Sequence, residues 1–255
     1  MILSYLFYIA LGFLPSLIWL LFYLKKDPHP EPQHRIVKIF LWGMLIAPLA
    51  AVAELFLLWL TKPMGPQSML SALTNGSPFL NQYTDGWRAL IGLVFFAPLV
   101  EEYLKYRIVK EEVSKDPDFD EPPDAMIYLI TGGLGFAAAE NLLVVLQFPL
   151  LPLGAAINTI SLRFVGATFL HALASGIVGY FWAKSLLETQ KRTRLIAKGL
   201  VLAIVFHGSY NYIVNLKDSF PFTTLLIIPL LVAMALFVSF GFRYLKNKLS
   251  VCKTE

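Results

Sequence analysis

Glu101, Glu102 and Lys105 end an apolar run, Trp87 to Val100, whose sole ionisable member is Arg88. Charge at membrane depth costs roughly 2.5–3.5 kcal/mol per residue on insertion scales, so chains that keep it there usually use it. The plainer reading is a helix end, with the acids in the headgroups and Lys105 snorkelling. Four further apolar stretches carry polar groups. Glu140 and Asn141 follow the small-residue run Gly132-Gly133-Leu134-Gly135-Phe136-Ala137-Ala138-Ala139. Arg163, His171 and Ser175 stand at multiples of four residues, as do His207 and Asn211, a spacing that stacks each set on one helix face. Arg163 reads equally well as a snorkelling anchor. Glu54 has no polar company in sequence and reads as a carboxylate reaching the interface or bonded to a neighbouring helix.

Paired acids in a low dielectric are general bases for attack by water. Histidine moves protons or ligates metal near neutral pH, and an asparagine amide can hold an oxyanion. Glutamate and histidine can instead bind a divalent ion such as zinc, for which Glu140, His171 and His207 are the candidates. A His-Glu-x-x-His helix, the strongest marker of such a site, is missing. Ser175 and Ser209 lie outside any Gly-x-Ser-x-Gly setting, which argues against an acyl-enzyme.

These groups must be positioned by membrane helices. Of 255 residues, 57% are hydrophobic and 15% charged, too apolar for a soluble domain. Spans are expected at about 3–24, 36–60, 87–108, 124–147, 157–185, 195–216 and 222–245, separated by polar segments. The fold is therefore expected to be all-α and polytopic, about seven transmembrane helices enclosing an intramembrane polar site, in a single domain over residues 1–255. The first span lacks a basic n-region and a cleavage pattern and reads as retained. The single cysteine, Cys252, excludes a disulfide framework and a cysteine metal cluster. A net charge of +4 reflects lysines and arginines clustered in loops and does not suggest nucleic acid.

Three basic groups fall on one side of seven spans: Lys25 to Lys38, Lys184 to Lys198, and Arg243 to Lys253. Their bias predicts an N-terminus outside and a C-terminus in the cytoplasm, in a cell membrane. The acidic loop Lys110–Pro123 joins the cytoplasmic side. At 1.5 Å per residue, Glu140, His171 and His207 lie about 16–24 Å from that boundary and Glu101 about 10–15 Å, one shared layer.

The set Glu101-Glu102-x-x-Lys105, Phe136-x-x-x-Glu140 with Asn141, His171, and His207-x-x-x-Asn211 resembles the signature of the PrsW proteases, intramembrane endopeptidases that cut an anti-sigma factor at site one. The acidic loop Asp116 to Asp124 and the run Gly133 to Ala138 are similar too. The likeness runs from Glu101 to Asn211. It extends to the type II CAAX prenyl endopeptidases and bacteriocin-processing or immunity membrane proteins, which read Glu-Glu-x-x-x-Arg and Phe-x-x-x-His. Tyr106 and Glu140 stand at those positions here, which points to the PrsW branch. The resemblance implies Glu101 and Glu102 as water-activating acids, His171 and His207 as catalytic groups or ligands, and Asn211 near the oxyanion. Lys105, Phe136, Glu140, Asn141 and Arg163 would support them. It implies a single-span membrane protein substrate and leaves the metal open between metalloprotease and glutamic-type chemistry.

A rival reading is a proton-coupled transporter, which should show broken helices or inverted repeats. The sequence suggests neither. A second rival is an inactive binding or immunity protein; the intact motif set counts against it.

Overall fold

The computed structural model describes residues 2–27, 29–61, 86–114, 116–146, 153–216 and 220–248. Residues 62–85, most of the 148–156 loop and Cys252 fall outside them. The described residues form helices and turns only. The helices are α1 (Ile2–Leu24), α2 (Gln33–Thr61), α3 (Gly86–Ile91), α4 (Ala97–Val113), α5 (Asp124–Leu146), α6 (Leu153–Val165), α7 (Ala167–Leu187), α8 (Arg192–Leu216) and α9 (Ile227–Lys246). In lipid this is the expected economy, because each helix satisfies its own backbone groups.

Six stretches are long and apolar enough to cross a membrane. They match six of the expected spans. The other, expected at 87–108, is α3 joined to α4 through a π-helical turn, Gly92–Phe96. Its charges keep it out of the apolar class, yet α4 buries Glu101, Glu102 and Lys105. The polytopic all-α fold is thus as expected.

The span expected at 157–185 is present within Leu153–Leu187, but it is interrupted at Gly166, where the chain leaves helical geometry (φ −104°, ψ −100°) between α6 and α7. A Cβ at Gly166 would run into the Tyr210 hydroxyl and the Leu162 carbonyl oxygen. Trp19 of α1 covers the junction. Its Nε1 donates to the Phe164 carbonyl at 2.9 Å, and its ring stacks on Phe169 at 4.1 Å.

α5 is the central helix, packed by α1, α2 and α7. Every side chain from Asp124 to Ala138 is buried. Two apolar surfaces in lipid gain nothing from water exclusion, so association depends on close packing. Gly135 provides it: a Cβ there would collide with the Phe40 carbonyl oxygen of α2. The outer faces carry Leu6, Leu21, Leu45, Leu60, Val201 and Leu236, each more than half exposed, as a lipid-facing surface requires.

The connection from α1 to α2 meets the loop between α4 and α5 at one end of the bundle. Arg35 pairs with Asp116 at 2.6 Å, Lys38 with Glu112 at 2.5 Å, and His29 with Glu121 at 2.7 Å. The acids of the Lys110–Pro123 stretch and the basic residues His29, Arg35 and Lys38 around the start of α2 therefore lie on one side.

Candidate active site

α4 delivers Glu101, Glu102 and Lys105 to one face, because positions i, i+1 and i+4 of a helix cluster on one side. α7 brings His171 and α8 brings His207. One ligating atom from each of Glu101, Glu102, His171 and His207 lies within 4.8 Å of the others. Exposure of the four is 6%, 1%, 2% and 3%. Four acid and imidazole side chains converge here, buried from the surface.

Lys105 sits among them, 1% exposed. Its Nζ donates to Glu102 Oε1 at 2.8 Å, to Glu101 Oε2 at 3.4 Å and to His171 Nδ1 at 2.8 Å. All three ammonium protons are thereby used. It also lies over the Phe136 ring, 4.5 Å from the centroid. Lys105 is thus an internal counter-ion, and the snorkelling reading fails.

The contacts of His171 settle its tautomer. Nδ1 accepts from an ammonium, so Nε2 carries the proton and donates to Glu140 Oε2 at 2.7 Å. His207 Nδ1 donates to Glu102 Oε1 at 2.8 Å, while Nε2 stands 3.9 Å from Glu101 Oε2. The two imidazoles meet edge to face, 5.0 Å apart. Glu102 Oε2 is buried and lacks a hydrogen-bond partner among the described residues. An orphaned buried carboxylate oxygen beside two imidazoles fits a divalent cation, and two carboxylates with two imidazoles are a donor set such ions accept.

Glu140, expected to support the acids or to bind metal, lies outside the group of four and holds the far nitrogen of His171, an outer partner that orients the ring. Arg163 is no anchor. Its Nη2 donates to Glu140 Oε2 at 3.3 Å and its Nε to Asn141 Oδ1 at 2.6 Å. Asn141 in turn donates to Thr168 Oγ1 at 3.0 Å. The break at Gly166 places α6 so that Arg163 reaches this network. Ser175 Oγ is buried without a partner among the described residues, and no contact joins it to the acids.

Asn211 does not meet the acids either. Its Nδ2 donates to the Leu93 carbonyl at 3.0 Å, inside the π-helical turn. A π turn leaves carbonyls without their usual i+4 donors, and such turns recur at functional sites. Gly208 lets α8 approach it, since a Cβ there would collide with the Val94 carbonyl oxygen.

Sequence reasoning missed Thr168, the π turn and the reach of Glu54. Glu54 follows Ala47 and Ala50 on the buried face of α2, which packs on Phe136 and Val100. It interacts electrostatically with Glu140, Lys105 and Glu101. The small residues Ala47 and Ala50, seven and four positions before Glu54, marked that face as inward.

A family profile described as "PrsW family intramembrane metalloprotease" matches residues 31–240. Protease PrsW of Geobacillus kaustophilus is 26% identical over 197 residues, 77% of this chain and 74% of that protein. Protease PrsW of Oceanobacillus iheyensis is 25% identical over 230 residues, 89% and 90%. Protease PrsW of Bacillus subtilis is 26% identical over 210 residues, 81% and 82%. No solved structure matches significantly. A profile covering most of the chain, over a buried Glu-Glu-His-His cluster in a helical membrane fold, leads to one assignment: the chain belongs to the PrsW family of intramembrane metalloproteases.

Proposed function

We propose that the chain, acting as one membrane domain over residues 1–255, hydrolyses a peptide bond in a single-span membrane protein of the anti-sigma-factor type. Cleavage falls near the bilayer boundary, with Glu101, Glu102, His171 and His207 as the hydrolytic centre. The observation that carries this is the meeting of those four buried side chains within 4.8 Å. A divalent ion, zinc being the best match to the donors, would be held by Glu101, Glu102 and His207, and by His171 Nδ1 in place of its Lys105 proton, and would supply a polarised water as nucleophile.

The protein's own groups do the rest. Lys105 keeps the acid pair compensated and fixes Glu102 through a 2.8 Å bond. Glu140, steadied by Arg163, holds the Nε2 proton of His171 and turns Nδ1 toward the centre. Glu101 is held more loosely than Glu102, by a 3.4 Å bond from the ammonium and imidazole nitrogens at 3.8 and 3.9 Å, which leaves it the freer acid to take a proton from water. Asn211 acts as a positioning residue for the turn ahead of the acids. Phe136 and Asn141 support Lys105 and Arg163 in the same way. The reading keeps the N-terminus outside and the C-terminus in the cytoplasm.

The test is co-expression with a tagged single-span substrate. Glu101→Ala, Glu102→Ala and His171→Ala are each expected to abolish cleavage while the protein still accumulates in the membrane. Unchanged cleavage in all three removes the assignment of this centre.

A further inference from the structure

A second group of acids lies at the far end of α5, at the junction of the α1–α2 connection with the start of that helix. One carboxylate oxygen each from Asp27, Glu31 and Asp124 lies within 4.8 Å of the other two. Asp124 and Glu140 share α5, sixteen positions apart, so this cluster stands about 24 Å along the helix from the candidate active site.

Each carboxylate has an oxygen held in place. Asp124 Oδ2 accepts the backbone N–H of Asp120 at 3.1 Å and of Glu121 at 2.7 Å. Asp27 Oδ1 accepts the His29 N–H at 3.1 Å, and Glu31 Oε2 accepts the Tyr128 hydroxyl. Asp27 is 8% exposed, and its Oδ2 is buried without a hydrogen-bond partner among the described residues, although the Glu31 N–H lies near the same carboxylate. Glu31 and Asp124 stand in side-chain contact. Three acids so close repel unless a shared proton or a cation joins them. No lysine or arginine does so among the described residues. Two cationic groups of the same connection and the start of α2 are paired elsewhere, His29 with Glu121 and Arg35 with Asp116 and Asp118.

We propose that Asp27, Glu31 and Asp124 bind a hard divalent cation, Mg²⁺ or Ca²⁺, which ties the α1–α2 connection to the first turn of α5. Oxygen-only donors select such ions over softer transition metals. Tyr128 and the N–H groups of Asp120 and Glu121 orient the ligands from outside, the usual role of a supporting shell. The cation offsets the charge of three acids and leaves Asp27 Oδ2 partnered. The site is separate from the proposed hydrolytic centre, so either can fail without the other.

The test uses the full-length protein in detergent, stripped with a chelator and then given Ca²⁺ or Mg²⁺. Thermal unfolding is followed alongside terbium(III) luminescence excited through Tyr128. Wild type is expected to gain several degrees in Tm with either ion and to show a saturable terbium signal displaced by Ca²⁺. Asp27→Asn keeps the side-chain shape, folds as well as wild type in chelator, and loses the Tm gain, with terbium affinity down tenfold or more. The proposal is overturned if neither ion moves the wild-type Tm, or if Asp27→Asn responds as wild type does. It is overturned equally if acidification alone stabilises the protein and cations do not, because the acids are then joined by a shared proton. Should Asp27→Asn not accumulate, Glu31→Gln is read against the same outcomes.

Discussion

Glu140→Gln separates a ligand from a group that orients a ligand. Glutamine has the same length and keeps an oxygen that can accept the His171 Nε2 proton, so the 2.7 Å contact survives in outline. The negative charge is lost, and with it the charge-assisted bond and the pairing with Arg163 at 3.3 Å. Outer partners of this kind cost about 10–100-fold in activity or metal affinity when mutated, which is roughly 1.4–2.7 kcal/mol in transition-state or binding free energy. The stability cost is smaller, because the Glu140 side chain is 31% exposed while Glu102 is 1% exposed. The assay is cleavage rate in proteoliposomes, with metal content of the purified variant measured by inductively coupled plasma spectrometry. The expected result is a 10–100-fold slower enzyme whose metal content matches wild type. Complete inactivity with loss of metal would make Glu140 a ligand and refute the orienting role. Wild-type rate would refute it from the other side.

Lys105→Met removes the ammonium and leaves two buried carboxylates uncompensated; breaking a buried pair costs about 3–5 kcal/mol, to be read from thermal or denaturant unfolding in detergent, and a loss below about 1 kcal/mol would mean the acids are solvated. Gly208→Ala places a methyl against the Val94 carbonyl oxygen; overpacking costs about 1–3 kcal/mol, and cleavage should fall further than stability because α8 carries His207 away from Glu102. An unaltered cleavage rate in Gly208→Ala would show that α8 does not need that approach. The α1–α2 connection predicts a pH dependence. Burial raises the Glu31 carboxyl to about 7 and also raises that of Asp27. A carboxyl that holds its proton more tightly folded than unfolded stabilises the fold at low pH and loses that contribution as pH rises through the folded value. Chelator-treated protein should therefore melt at lower temperature as pH rises from about 5 to 8. A rising or flat profile would contradict the burial of these acids.

The chemistry was more legible in the sequence than the architecture that delivers it. Glu101, Glu102, His171 and His207 announce themselves because ionisable groups stand out against hydrocarbon, and helical spacing fixes the face each takes. Lys105 was visible, and Glu101 and Glu102 lie one turn back on its own helix, yet its place at the centre also depends on His171 of α7, which only tertiary packing supplies. Asn211 looked chemical by its spacing from His207. Its true partner is a carbonyl in a π turn, and Gly92–Phe96 carries no proline or polar residue to advertise one. The break at Gly166 was hidden for a similar reason, since apolar residues continue on both sides and a single glycine is common in membrane helices. The Asp27, Glu31 and Asp124 cluster joins residues nearly a hundred positions apart, so composition could show acids in the loop but not their meeting.

The wide turn at Gly92–Phe96 has a consequence for the length of the chain ahead of the acids. It accommodates one residue more than a regular turn, and each residue of an α-helix advances the face by about 100°. Dropping a single residue there, with α3 held by its neighbours, would swing Glu101 and Glu102 a quarter-circle or more away from His171 and His207. The turn works as a phase adjuster: the surplus residue ahead of α4 dials the carboxylates onto the imidazoles, and the Asn211 amide locks the dial.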